Sequence, residues 1–404
     1  MENELKKLLR FKLFFGIVLL SASVRSGAAT LTGAEEDSID MMIGQMIMVG
    51  VGDFNLVERN KVIFQEIKSG KVGGVVLYEK NILFENPKSE LALLIETLQK
   101  HADIPLFISI DEEGGQVSRM KTRYGFPNSV SAQYLGKLDN LDSTRFYARQ
   151  TAGLLNSFGI NMNYAPVVDV NLNPGNPVIG RKERSVSGDY HNVTKHANAV
   201  IEAHKKQGVI PVLKHFPGHG SSRNDTHIGL TDVTETWQIE EVYPYAALID
   251  SGKVQAVMTA HIVNKLLDEA KNPATLSKRV VSGLLRDFLR YDGVIISDDM
   301  QMGAISKAYG LRESIKMSLL AGVDILMFAN NVRDDDRTAA ATIHAIIKDL
   351  LFEGLISKER ILQSYRRIIK LKKTAGLCDP DYFKTLKRKL KAHRRTSSNP
   401  NVER

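Results

Sequence analysis

Eight short apolar runs between residues 46 and 329 constrain the fold of this 404-residue chain more than any other feature. They are rich in Val, Ile and Leu without strict alternation, as expected for parallel strands that are buried on both faces. A chain with eight such runs needs a closed barrel or a wide open sheet. The predicted strands are Met46–Val51, Gly73–Tyr78, Leu106–Asp111, Asn161–Val170, Val209–His215, Ala256–Ile262, Gly293–Asp298 and Asp324–Ala329.

Amphipathic segments of helical length lie between the apolar runs, and two more follow the last run. These are Glu58–Ser69, Lys88–Ala102, Ser143–Phe158, His191–Lys206, Glu240–Ser251, Asp335–Glu353 and Ser357–Ala375. The alternation predicts an α/β fold, a single (β/α)8 TIM-type barrel over residues 30–375. A doubly wound open sheet is the alternative, but no glycine-rich dinucleotide fingerprint follows the first run. The residues after 375 are too few for a second domain.

The formal net charge of +8 is concentrated at the two ends of the chain. Residues 1–29 carry five Lys or Arg against two acids, and residues 376–404 carry eight against three, so the residues between them are balanced. A neutral body argues against nucleic-acid binding as the main function. No obligatory protein partner is evident, and residues 376–404 are predicted to form a basic, flexible tail.

The N-terminal residues 1–29 have the pattern of a secretory signal peptide. Four cations between Lys6 and Lys12 precede the apolar run Leu13–Leu20, and small residues follow at 26–29. This apolar run is short for a membrane-spanning helix. The pattern predicts an exported protein, with an uncleaved membrane anchor as the alternative. The single cysteine, Cys378, allows no internal disulfide.

Ionisable residues follow the predicted strands at the end where barrel enzymes carry their active sites. Two adjacent aspartates after the seventh strand occupy a place where burying charge is costly, which indicates a function for at least one of them. The residues at or just beyond the strand ends are Asp111 and Arg119 for the third strand, Asp169 and Arg184 for the fourth, Lys214 and His215 for the fifth, His261 for the sixth, and Asp298 and Asp299 for the seventh.

The stretch from Lys214 to His227 holds the densest titratable chemistry of the chain. Pro217, Gly218 and Gly220 predict a tight turn directly after the fifth strand. His219 lies inside that turn, where its expected role is to hold the loop's shape. Asp225 and His227 lie further along, on the part of the loop that is free to move over a ligand.

Three motifs together resemble glycoside hydrolase family 3, and in particular its β-N-acetylglucosaminidase branch. They are Lys-His-Phe-Pro-Gly-His-Gly at 214–220, Asp-Glu-Glu-Gly-Gly at 111–115, and Gly-Val-Ile-Ile-Ser-Asp-Asp-Met at 293–300. The resemblance runs from about residue 43 to residue 371. It implies a retaining exo-β-N-acetylglucosaminidase on a barrel that acts through a covalent glycosyl-enzyme.

The resemblance also implies roles for individual residues. Asp298 would be the nucleophile, and His227 would be the acid/base, assisted by Asp225. Histidine suits that role because it titrates near neutral pH and can act first as an acid and then as a base. No metal or organic cofactor is implied. The implied sugar-binding residues are Asp111, Arg119, Arg184, Lys214 and His215.

Other functions remain open from the sequence. A metal-dependent barrel hydrolase would use His215, His219, His261 and Asp298 as ligands, but the first predicted strand offers no histidine. A sugar-binding barrel without catalysis would lack the nucleophile or the acid. A phosphorylase of the same family would also use a histidine, since a carboxylate would repel phosphate. The expected substrates are peptidoglycan fragments, with chitin oligomers or other N-acetylhexosaminides as alternatives.

Overall fold

The protein forms a parallel barrel sheet, seen in a computed structural model that describes residues 33–52, 61–331 and 337–395. The barrel strands are short and their residues are buried, as their uniformly apolar sequences predict. The strands in these ranges are β1 Ile47–Gly50, β2 Gly74–Leu77, β3 Phe107–Ile110, β4 Met162–Asn163, β5 Ile210–Phe216, β6 Thr231–Asp232, β7 Ala256–Thr259, β8 Ile262–Val263, β9 Val294–Ile296 and β10 Leu326–Phe328.

Eight of these strands make one sheet in the order β10-β1-β2-β3-β4-β5-β7-β9, and every pairing in it is parallel. The first and last strands of the chain are neighbours, with Met48 opposite Met327. A bridge between Ile296 and Ile325 joins β9 to β10, so the sheet closes on itself. The predicted single (β/α)8 barrel is therefore confirmed. The short strands β6 and β8 form a separate parallel pair beside the barrel.

The fourth barrel strand is much shorter than the predicted Asn161–Val170. Only Met162 and Asn163 form a regular strand, after which Val167 makes a single bridge to Lys214. Pro166 lies in between, and proline has no N–H to donate to a neighbouring strand. Regular pairing therefore ends at Asn163, and the missing N–H of Pro166 prevents it from resuming while the chain still runs beside β5.

The helices cover the outside of the barrel, in agreement with the predicted alternation. Parts of two predicted helices, at 58–60 and at 335–336, lie outside the described residues. The α-helices in the described ranges are Gly33–Gln45, Lys61–Lys68, Pro87–Lys100, Ala132–Leu138, Leu141–Ser157, Tyr190–Lys206, Tyr243–Asp250, Gly303–Ser306, Leu311–Ala321, Ala340–Phe352, Lys358–Thr374 and Tyr382–Arg395, and a π-helix spans Arg279–Phe288.

A buried lysine closes the end of the barrel where the strands begin. Lys372, on the helix Lys358–Thr374, is fully buried, and its Nζ donates to Gln45 Oε1 at 2.6 Å and to Gly73 O at 2.9 Å. The same Nζ lies 4.8 Å from the centre of the Phe107 ring. Burial lowers the pKa of Lys372 to about 7. This side chain therefore ties the last barrel helix to the entrances of β1, β2 and β3.

The predicted flexible tail is wrong for residues 382–395. These residues form a helix that packs along the helix Pro87–Lys100. Leu386 and Leu390, four residues apart, are buried on one face, while Lys387 and Arg388 between them are exposed. At the end of this helix the His393 ring stacks on Phe158 with 3.8 Å between ring centres. Residues 396–404 lie outside the described residues.

The predicted signal peptide at 1–29 also lies outside the described residues. Across 33–52, 61–331 and 337–395, no helix combines the length and the apolar character that crossing a membrane requires.

Candidate active site

A salt-bridged carboxylate lies at the carboxyl end of β3. Asp111 Oδ1 accepts from Lys214 Nζ at 2.6 Å, and its Oδ2 accepts from Arg119 Nη2 at 3.3 Å. Burial opposes ionisation of Asp111, but the two cations outweigh it and hold the pKa of this carboxyl below its ordinary value. The structure thus brings together three of the sequence-predicted sugar-binding residues, with charged groups arranged to bind hydroxyls.

Glu113 is the centre of this charge cluster, although the sequence assigned it no role. It accepts two parallel hydrogen bonds from Arg184, at 2.8 and 2.7 Å, and its Oε1 lies 2.6 Å from Lys214 Nζ. All three side chains are nearly inaccessible, with exposures of 5%, 9% and 1% for Glu113, Arg184 and Lys214. Burial opposes the charge, but both cations overcome it and lower the pKa of Glu113 to about 2. Glu113 therefore fixes the position of both predicted sugar-binding cations.

His215 is oriented by a second unassigned carboxylate, Asp169. The His215 Nδ1–H donates to Asp169 Oδ2 at 2.7 Å, and its Nε2 accepts from Arg184 at 3.2 Å. Burial of Asp169 is outweighed by its interactions with His215 and His219, which lower the pKa of the carboxyl. The signal for Asp169 was its place at the end of the fourth predicted strand, but its partner was not visible in the sequence.

Asp298 follows β9 and Ser297 and projects from the barrel end that carries the other site residues. Its Oδ1 accepts the backbone N–H of Asp299 at 2.8 Å. Burial alone would raise the pKa of Asp298, but the charged forms of His261, His215 and His227, with that N–H, lower it. Asp298 is therefore an ionised, half-buried carboxylate within electrostatic range of three histidines.

The side chains of Asp299 and His261 form hydrogen bonds that hold other parts of the site in place. Asp299 Oδ1 accepts the N–H groups of Gln301 and Ala329, each at 3.0 Å, and burial raises the pKa of Asp299 to about 6. His261 is completely buried, with Nε2 donating to Asp299 O at 3.0 Å and Nδ1 lying 2.9 Å from Thr275 Oγ1. Both ring nitrogens of His261 are thus engaged within the protein.

The turn after β5 is tied from several sides. Trp237 Nε1 donates to Pro217 O at 3.2 Å, and Asn176 Nδ2 donates to His219 O at 2.7 Å. Asp169 accepts the His219 N–H at 2.8 Å. The His219 ring is buried, which lowers its pKa to about 4. His219 is therefore a neutral residue inside the turn.

His227 lies on the outer part of the loop, with its side chain 57% exposed. Its Nδ1–H donates to Asp225 Oδ1 at 2.7 Å, and its backbone N–H donates to the same oxygen at 2.8 Å. Partial burial opposes ionisation of Asp225, but the contacts with His227 lower the pKa of the carboxyl. This pairing fixes the orientation of the ring and leaves Nε2 facing away from Asp225.

The outer loop rests on the short helix Gly303–Ser306, which begins a few residues after Asp298. The Gly303 N–H donates to His227 O at 3.2 Å, and Lys307 Nζ donates to Ile228 O at 2.9 Å. A Cβ at position 303 would lie 2.7 Å from His227 O, so the contact requires glycine. The backbone of His227 is thereby held on the element that follows Asp298.

Two tyrosines that the sequence did not single out line the charge cluster. Tyr78 follows β2, and its ring centre lies 5.5 Å from the guanidinium carbon of Arg119. Tyr164 follows β4, and its ring centre lies 5.9 Å from Lys214 Nζ. Tyr78 was visible only as the last residue of a predicted strand. In the described part of the chain, no three His, Cys, Asp or Glu side chains come together in a way that could hold a metal ion.

The fold and site together define a TIM-barrel enzyme whose polar site lies at the carboxyl ends of its strands. The sequence model described as "Glycosyl hydrolase family 3 N terminal domain" matches residues 38–371, and the chain belongs to that family.

Several relatives are similar over most of this chain. Beta-hexosaminidase A of Pseudoalteromonas piscicida is 34% identical over 328 residues, which cover 74% of this chain and 53% of that protein. The chain thus spans about half the length of this relative. A beta-hexosaminidase of Xylella fastidiosa is 32% identical over 332 residues, which cover 80% and 95% of the two chains.

Solved structures show the same similarity. A glycoside hydrolase family 3 β-N-acetylglucosaminidase from Paenibacillus is 32% identical and superposes with a TM-score of 0.76, covering 89% of this chain and 68% of that one. A β-N-acetylhexosaminidase from Beutenbergia cavernae is 28% identical and superposes with a TM-score of 0.73, covering 83% of this chain and 98% of that one.

Proposed function

We propose that this protein is a retaining exo-β-N-acetylglucosaminidase that removes terminal β-linked N-acetylglucosamine through a covalent glycosyl-enzyme. The names of the similar proteins, beta-hexosaminidases and β-N-acetylglucosaminidases, support this substrate class. The observation that carries the mechanism is the pair His227–Asp225, joined at 2.7 Å and held on the helix that follows Asp298.

In the first step, Asp298 attacks the anomeric carbon while the bond to the leaving oxygen breaks. Asp298 suits this role because its pKa is lowered and it is ionised at neutral pH. His227 gives the proton on Nε2 to the leaving oxygen. Asp225, hydrogen-bonded to Nδ1–H, holds the ring in place and stabilises its charged form before the transfer.

In the second step, water replaces Asp298 at the anomeric carbon. The now neutral His227 accepts a proton from that water at Nε2 and returns to its charged form. Two displacements at the same carbon give net retention of configuration. The cluster around Asp111, Lys214, Arg119, Arg184 and His215 would hold the hydroxyl groups of the sugar through charge-assisted hydrogen bonds.

Peptidoglycan-derived fragments are the proposed natural substrates, on the basis of the resemblance to the β-N-acetylglucosaminidase branch. The choice of histidine as acid/base also favours a second candidate, a β-N-acetylglucosaminide phosphorylase. A neutral or positive ring beside the anomeric carbon does not repel phosphate as a carboxylate would. Product analysis with and without inorganic phosphate separates the two: free N-acetylglucosamine in both cases supports the hydrolase, and sugar 1-phosphate supports the phosphorylase.

The test of the proposed function combines substrate preference with covalent trapping. Chromogenic β-N-acetylglucosaminide should be cleaved faster than β-glucoside or β-xyloside, without loss of activity in a chelator. A mechanism-based fluorosugar should label Asp298, and Asp298→Ala should nearly abolish turnover while leaving substrate binding intact. Faster cleavage of the plain glucoside, or labelling of Asp299 or Glu113 instead, would contradict the proposal.

We also propose export, on the basis of the charged, apolar and small-residue pattern of residues 1–29. N-terminal sequencing of the native protein should find a first residue near Ala29 or Thr30. An intact Met1 in a soluble cytoplasmic fraction would rule this out.

A further inference from the structure

A buried carboxyl group that the proposed mechanism does not use lies directly behind the turn after β5. Glu241, the last residue of the 3-10 turn Ile239–Glu241, is completely buried, at 0% exposure. Its Oε2 accepts the backbone N–H of Gly220 at 2.7 Å. Among the described residues, no Lys, Arg or His side chain forms an ion pair with it. Glu241 therefore binds the backbone of the turn and not a countercharge.

The contact between Glu241 and the turn leaves no free space. A Cβ at Gly218, where φ is +117°, would lie 2.4 Å from the Cβ of Glu241. On the other side, a Cβ at Gly220 would lie 1.7 Å from Val170 O. The turn is thus enclosed between Glu241 and the chain that follows Asp169, so a displacement of Glu241 displaces the turn.

We propose that Glu241 is a positioning residue that works as a neutral carboxylic acid, holding the turn at Gly218–Gly220 in the place that the active site needs. The turn carries His219, whose N–H is bound by Asp169, the carboxylate that orients His215. The same loop continues to Asp225 and His227. The proposal rests on the function proposed above, because it concerns the alignment of those groups.

The surroundings of Glu241 favour its neutral form. The titratable groups that interact electrostatically with it are Asp169, from the segment after β4, and Tyr245, from the following helix. Burial raises the pKa of Glu241 to about 8, and the negative charge of Asp169 acts in the same direction. Ionisation would place a second buried anion near Asp169 without a countercharge, and the hydrogen bond from the Gly220 N–H would compensate it only in part.

The sign of the pH effect follows from the raised pKa. Between the ordinary value of 4.5 and about 8, the folded protein keeps a proton on Glu241 that the unfolded chain loses. The stabilising effect of that proton is complete below pH 4.5 and is lost as the pH rises to about 8. The turn at Gly218–Gly220 should therefore lose its alignment as the pH rises through about 8.

The experiment measures the rate at which an activated fluorosugar labels Asp298 between about pH 6 and pH 9. An activated leaving group needs little help from an acid, so the titration of His227 is largely removed from the profile. The variants are Glu241→Gln, which copies the neutral acid, and Glu241→Ala. Glu235→Gln, at an exposed position before the same 3-10 turn, is the matched control.

Glu241→Gln should label Asp298 at a rate within about threefold of the wild-type rate at pH 7, and this rate should not decline near pH 8. Glu241→Ala should label about 100-fold more slowly than the wild type, which is the effect expected of a misplaced group. The control should keep the wild-type profile. The proposal is wrong if the labelling rate of Glu241→Gln declines near pH 8 as in the wild type. It is also wrong if Glu241→Gln labels as slowly at pH 7 as Glu241→Ala, because the ionised acid would then be the form that is needed. Should Glu241→Ala fail to fold, the Glu241→Gln profile decides alone.

Failure of the proposed function has a different signature. In that case the wild-type protein would show no fluorosugar label on Asp298, whatever the state of Glu241. The pH profile of the turnover actually observed, compared between wild type and Glu241→Gln, would then test the role of Glu241 by itself.

Discussion

The substitution Glu113→Gln tests whether the charge cluster is held together by its central carboxylate. In the wild-type protein, Glu113 accepts hydrogen bonds from Arg184 and contacts Lys214 at 2.6 Å, in a site that water barely reaches. Glutamine has nearly the same shape, but it carries no charge and turns an N–H₂ group toward one of the two cations. Both cations would then remain buried with less compensation.

The magnitude follows from the pKa of Glu113. Its fall from 4.5 to about 2 corresponds to about 3 kcal/mol of stability at pH 7, at about 1.4 kcal/mol per pH unit. The figure agrees with the roughly 3–5 kcal/mol lost when one partner of a buried ion pair is removed. Because the folded pKa is lowered, this contribution is complete above pH 4.5 and is lost as the pH falls toward about 2.

The assay is denaturant unfolding of wild type and Glu113→Gln at pH 7 and at pH 3. The difference in the free energy of unfolding should be about 3 kcal/mol at pH 7 and less than half of that at pH 3. Glu112→Gln is the matched control, since burial raises the pKa of Glu112 and its bonds come from Ser118 and two backbone N–H groups. The reasoning is refuted if Glu112→Gln costs as much as Glu113→Gln, or if the difference does not depend on pH.

Two further predictions concern other parts of the molecule. His227→Ala should slow the cleavage of natural disaccharides by about 10²–10⁴-fold while sparing glycosyl-enzyme formation from an activated aryl glycoside. Equal losses of rate on both substrates, or a larger selective loss in His219→Ala, would point to a different acid. Because the pKa of Lys372 is lowered to about 7, the unfolded chain binds the extra proton between pH 7 and 10.5, and wild-type stability should rise there. The stability of wild type relative to Lys372→Met should therefore increase by about 2 kcal/mol from pH 7 to pH 9, as measured by urea unfolding, and a constant difference would contradict this.

The barrel could be predicted from the sequence because a strand buried on both faces must be apolar along its whole length. The same physics places the first charge of each segment at a strand end, which is how Asp111, Lys214 and Asp298 were found. The partners of those charges could not be found in this way. Arg184 is 71 residues from Glu113, and only the closed sheet brings the two together.

Local features that depend on packing could not be predicted from the sequence either. The spacing of Leu386 and Leu390 is that of an amphipathic helix, but the groove beside Pro87–Lys100 that receives it exists only in the folded barrel. The basic composition around those leucines favoured a flexible tail, and burial of two side chains on one face outweighed it. The position of His227 depends likewise on Gly303, whose missing side chain is significant only once the loop rests on it.

The barrel closes only when β10 pairs with β1 and Lys372 contacts Gln45 and Gly73. This closure has a consequence for synthesis on the ribosome. A nascent chain that ends before residue 326 has an unpaired β1 edge, and one that ends before residue 372 lacks the side chain that closes the barrel floor. Earlier strands can associate, but each such intermediate exposes a strand edge to other chains. Completion of this fold therefore waits until residue 372 has been synthesised and released from the ribosome, and the time spent with an open edge is set by the rate of translation.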